Sequence, residues 1–197
     1  MVVLLSPLVP RCTRVHCARI GPRPLALSAK ASVHDALLDV VPASEVDALP
    51  DRFVVFSDLH VQRSTLPVCL RVLRRVAEEA KARSAGVICL GDFWHAGGIL
   101  HTRQLNAILT ELRSWGTDTP LLMIPGNHDQ AMRGDPSPLL HALTPLSLGG
   151  TRVRVFSRPT LLGDALWVPY GTSAVQLRAA CDEAVATRAS AGAALVP

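Results

Sequence analysis

The chain has 197 residues, 49% hydrophobic, 18% charged and 4% aromatic, too apolar and too weakly charged for a disordered segment. Its fifteen prolines and thirteen glycines follow no period, which excludes collagen-like and low-complexity architectures. No apolar stretch reaches the ~18 residues that a membrane-spanning helix needs. The net charge of +4 is concentrated in the leader, where Arg11, Arg14, Arg19, Arg23 and Lys30 precede the first acid, Asp35. Removing these five from the 20 Lys and Arg leaves 15 against 16 acids. The charge therefore lends no support to a nucleic-acid partner, although it does not exclude one.

Residues 1–34 are acid-free, Arg-bearing, dotted with Ser6, Ser28 and Ser32, and broken by Pro7, Pro10, Pro22 and Pro24. These are features of a mitochondrial or plastid transit peptide; the plainer alternative is a disordered tail on a cytoplasmic protein. The leader is expected to be unstructured and removable to about Ala31, and residues 35–50 to act as a linker before a domain over 51–197. The five cysteines, Cys12, Cys17, Cys69, Cys89 and Cys181, form no CxxC pair, so a disulfide scaffold is not expected and a reducing compartment fits better.

From Asp51 the chain alternates short apolar runs with helical patterns. Phe53–Phe56, Val87–Leu90 and Leu121–Ile124 are each too short for a helix and are bounded by Gly, Pro or Ser-Asp, so they predict buried strands. Between them Leu66, Leu70, Leu73 and Ala77, then Leu105, Ile108, Leu109 and Leu112, recur at helical spacing, with Gly86 and Gly116 past the two ends. Val153–Phe156 and Ala165–Val168 read as further strands. The alternation predicts an α/β fold with a parallel sheet, whose functional groups collect beyond the carboxyl ends of the strands.

The unusual residues stand at those ends. Asp58-Leu59-His60 follows the first run, Gly91-Asp92-Phe93-Trp94-His95 the second, and Gly126-Asn127-His128-Asp129 the third. If the strands are neighbours, carboxylates, imidazoles and an amide converge. Close carboxylates repel unless a cation compensates them, and mixed Asp, His and Asn ligation suits Mn, Fe or Zn.

The ordered DxH, GD and GNHD motifs resemble those of the calcineurin-like metallophosphoesterases over about residues 53–130. The resemblance implies the N-terminal part of a metallophosphoesterase-type α/β sandwich with a strand-end metal site. It implies two divalent ions, the first on Asp58 and His60, the second on Asn127, with Asp92 bridging both. It makes His128 the proton donor or transition-state stabiliser and Asp129 the residue that orients it. The substrate would be a phosphoester; monoesters, diesters and DNA ends all occur in the family.

The family pattern continues with a lone histidine and a GHxH motif. His141 is the only histidine after His128 and comes too soon for the lone ligand, so a packing or surface role is expected for it. The second metal site is therefore expected to be incomplete, and the chain to be a truncated hydrolase of weak or no activity. The alternative is a non-catalytic binding module that keeps the fold. The tail 184–197 does not read as a sheet edge or a cap, which predicts an uncovered far face of the sheet. His95 and Arg133 stand as candidate substrate contacts, against the plainer readings of an exposed loop histidine and a solvated arginine. Phe93 and Trp94 are expected to pack under the loop, and Trp167 and Tyr170 to pack against or line the same edge.

Overall fold

The computed structural model describes residues 2–4, 37–116, 118–131, 141–149 and 152–193. Its centre is a parallel sheet of β3 (Phe53–Phe56), β4 (Gly86–Cys89), β5 (Leu121–Met123) and β6 (Val153–Val155), in that order across the sheet. All three pairings are parallel, with Val54 beside Val87 and Val87 beside Leu121. This parallel register aligns the carboxyl ends of β3, β4 and β5 on one edge.

Alternation along these strands separates two cores. Val54, Phe56, Val87, Cys89, Leu121 and Met123 point to one face, where they pack with Leu73 of α2 (Leu66–Ala82) and Ile108 of α3 (Thr102–Arg113). The Arg74 guanidinium on α2 joins the nearly buried Glu111 carboxylate on α3 at 2.9 Å. The intervening residues Phe53, Ile88, Leu122 and Ile124 face the other way, towards Val41, Phe156, Leu162 and Trp167.

That second partner is another sheet, ordered β1 (Val2–Leu4), β8 (Ala165–Trp167), β7 (Thr160–Leu162), β2 (Asp39–Val40). Its neighbouring residues Leu161 and Leu166 turn outward onto Ala180 and Ala184 of α5 (Ala174–Ala193). The molecule is thus layered helix, sheet, sheet, helix.

Three expectations are corrected here. The linker assigned to 35–50 instead holds β2 and α1 (Ala43–Val46), and contributes the buried Leu38 and Val41. Two-residue and four-residue elements are too short to leave a periodic signature in the sequence. The first residues of the leader are not free of the fold, since the apolar Val2–Leu4 segment pairs antiparallel with β8; residues 5–36 lie outside the described part. Residues 184–193 of the tail belong to a long helix that covers the second sheet, so the far face is not bare. The helix carries apolar residues around its whole circumference, exposed Val175 and Val185 included, and a helical stripe was therefore invisible.

Candidate metal centre

The loops after β3 and β4 run on as a zipper. Asp58 N–H donates to the Gly91 carbonyl at 3.2 Å, His60 N–H to Asp92 at 3.0 Å, and Val61 N–H to Phe93 at 2.8 Å. To hold that path Asp58, His60 and Asp92 all adopt left-handed backbone, with φ of 55°, 47° and 54°. Such conformations are uncommon for residues other than glycine and concentrate at functional sites.

The loop after β5 is pressed against the same place. A Cβ on Gly126 would overlap the Asp92 carboxylate and backbone nitrogen, and one on Gly91, at φ 100°, would lie 2.8 Å from Gly126 Cα. Only glycine allows this approach. It lets His128 N–H donate to Asp92 Oδ1 at 2.9 Å.

Two groups of donor atoms result. Asp58, His60 and Asp92 have ligand atoms within 4.8 Å of one another, and so do His60, His95 and His128. His60 belongs to both. Its Nε2 lies 3.8 Å from Asp58 Oδ1, while its buried Nδ1 has no hydrogen-bond partner. Neither carboxylate meets a lysine or arginine among the described residues, although Ser57 Oγ donates to Asp58 Oδ2. An imidazole beside two uncompensated carboxylates is a donor set that a divalent cation satisfies. Asn127 lies with Asp58, Asp92 and Tyr170 along a cleft of about 550 Å³.

The three imidazoles touch. His60 stands edge-on to His128 with centroids 4.7 Å apart, and the His95 ring stacks on His128 at 5.5 Å. His128 Nδ1 lies 2.8 Å from the His95 carbonyl oxygen. A carbonyl can only accept, so Nδ1 carries a proton and Nε2 is the free end. His95 is exposed, as the plainer reading had it, but the fold sets it against the other two histidines. Its proximity to His60 was not legible from spacing alone.

Asp129 was expected to orient His128 directly, and its carboxylate is engaged elsewhere. It is fully buried and accepts the backbone N–H groups of Trp94 at 2.8 Å, Gly126 at 2.9 Å and Phe93 at 3.3 Å. Burial raises its pKa to about 6 despite those hydrogen bonds, and the nearby Asp92 charge adds to the rise. The residue ties the β5 loop to the β4 loop, and the contact holding the His128 ring is the His95 carbonyl.

The other candidates fall into place around this centre. Phe93 and Trp94 are buried in the helical-side core, Trp167 sits between the sheets, and Tyr170 lines the cleft. Thr172, which no motif marked, lines it too. Cys89 is buried, which pushes its thiol pKa up and leaves it inert. His141 is 7% exposed and pairs with Gln130 in an isolated antiparallel bridge. It accepts the Leu143 N–H at Nδ1 and meets Ser157 Oγ at 2.6 Å through Nε2. Arg133 lies outside the described residues.

Among comparisons with known proteins, a search of the curated ones finds no match. The family model described as calcineurin-like phosphoesterase matches residues 51–179, which takes in the parallel sheet and every residue of the two donor groups. By that match the chain belongs to the calcineurin-like phosphoesterases.

Proposed function

We propose that the protein is a metal-dependent phosphoester hydrolase, with Asp58, His60 and Asp92 holding a first divalent ion and Asp92 with Asn127 a second. The observation that carries this reading is the cluster of Asp58, His60 and Asp92, whose ligand atoms lie within 4.8 Å of one another with no lysine or arginine compensating the two carboxylates among the described residues. When bound, Mn, Fe or Zn ions supply Lewis acidity, neutralising phosphoryl charge and drawing the pKa of water down towards about 7.

The chain's own groups do the rest. Asn127 lines the cleft that would receive the phosphoryl group. His128 keeps its Nδ1 proton on the His95 carbonyl; in the doubly protonated imidazolium form it would hand its Nε2 proton to the departing oxygen and be left as the Nδ1–H tautomer. Asp129 keeps the two loops in register. Three protein ligands match an ordinary catalytic site, whereas two hold an ion weakly. With only Asp92 and Asn127 assigned to it, the second ion is the more weakly held of the two. The acid-free leader supports import into a mitochondrion or plastid.

The test is manganese titration of the purified chain against chromogenic phosphomonoesters and phosphodiesters, with Asp92→Asn as control. Metal-dependent release of the chromophore, abolished in the variant, is the expected result. Bound metal with no turnover on any ester would favour the scaffold reading, and no metal binding at all would sink the proposal.

A further inference from the structure

A second cavity, of about 400 Å³, lies between the starts of the two long helices. Its walls are Arg63, Leu66, Pro67, His101, Arg103 and Gln104, and its volume is in the range of small-ligand sites. Neither helix has an acid in its first turn. At the start of α3, the Gln104 and Leu105 N–H groups bond back to His101, while those of Thr102 and Arg103 have no partner among the described residues. Free N–H groups at the positive end of a twelve-residue helix form an anion site.

Three side chains point to the same ligand. The Arg63 and Arg103 guanidinium groups are exposed and paired with no carboxylate among the described residues. Gln104, which lines the cavity, is only 7% exposed, yet its side-chain amide has no hydrogen-bond partner among the described residues. An amide so placed is open to whatever the cavity holds, water or an anion. Planar guanidinium forks match phosphate oxygens, and a side-chain amide adds a donor.

The geometry points to a phosphate-binding subsite here, which takes a phosphate group of the substrate remote from the bond being cleaved. Arg63 is three residues beyond His60, so its Cα lies within roughly 11 Å of the His60 Cα even at full extension. The loop from His95 to His101 likewise joins the two places. The identification of the ligand as part of the substrate rests on the hydrolase reading; binding of phosphate itself does not.

The test uses the full chain. With metals removed by chelation, inorganic phosphate is titrated while amide resonances are followed by NMR. Saturable shifts at Thr102 and Arg103 are expected, with affinity about tenfold or more weaker in Arg63→Ala/Arg103→Ala. Gln104→Leu weakens binding without lowering Tm, whereas a glutamine with a structural role would cost stability. Absent shifts, or unchanged affinity in the double variant, would overturn the subsite. With manganese present, KM is then compared for a thymidine dinucleotide with and without a 5′-terminal phosphate. The phosphorylated form has the lower KM, and the ratio collapses towards one in the double variant. Phosphate binding without cleavage of either dinucleotide removes the hydrolase reading and leaves the subsite; cleavage with equal KM values removes the assigned role in substrate binding and leaves the hydrolase.

Discussion

The Asp129 carboxylate accepts the backbone N–H of Trp94 at 2.8 Å, across 35 residues of sequence. With Gly126 and Phe93 as its other donors, this one side chain fastens the loop that bears Asn127 and His128 to the loop that bears Asp92 and His95. Asp129→Ala leaves three N–H groups without an acceptor and should cost about 3 kcal/mol or more, with Asp129→Asn costing less because one acceptor oxygen remains. Urea denaturation of the three proteins measures this. A loss under about 1 kcal/mol for the alanine variant would mean that the clamp contributes little.

Asp92 contributes a carboxylate to one donor group and accepts the His128 N–H. Manganese should raise the Tm of the wild-type chain, by the equivalent of about 2.7 kcal/mol at a hundredfold excess over Kd. A chelator should reverse that gain, and Asp92→Asn should largely lack it. Thermal scans with and without metal decide the matter.

Gly126 offers a steric test of the same place. A methyl group there would run into Asp92 from two sides, so Gly126→Ala should cost about 1–3 kcal/mol and weaken metal binding together. Loss of stability with intact metal affinity would show that the β5 loop can move aside without disturbing Asp92.

His128 presents Nε2 as its free nitrogen. For the loaded enzyme, His128→Gln should lower kcat by roughly 10²-fold or more. The drop should be larger for an alkyl phosphoester than for a nitrophenyl one, whose leaving oxygen needs little protonation. Equal losses on both substrates would assign His128 to binding instead of proton transfer.

His141 introduces sensitivity to acid. Burial lowers its pKa below the ordinary histidine value, and protonating Nδ1 would displace the Leu143 N–H bonded to it. The unfolded chain therefore binds this proton more readily than the folded one. The stability that neutral His141 contributes is fully present above about pH 6.5 and is lost as pH falls through its lowered folded pKa. His141→Gln should flatten that part of the stability–pH curve. An unchanged slope between about pH 7 and 5 would place the acid sensitivity elsewhere.

The central sheet was legible because each strand is a compact apolar run cut off by glycine, proline or Ser-Asp, and local chain chemistry is enough to mark such boundaries. The motif residues Asp58, His60, Asp92, Asn127 and His128 were legible for the same reason: each directly follows a strand, and parallel pairing carries neighbouring strand ends to one edge. What local chemistry does not encode is which partner each group meets. The His95 carbonyl behind His128, the Asp129 clamp on Trp94, and the cavity lined by both Arg63 and Gln104 all bring together segments more than thirty residues apart. Of the second sheet only β8 was legible, because β2 and β7 are too short for periodicity and α5 has no single apolar face. Those elements take their structure from the surface they cover, and that surface exists only once the parallel sheet has formed.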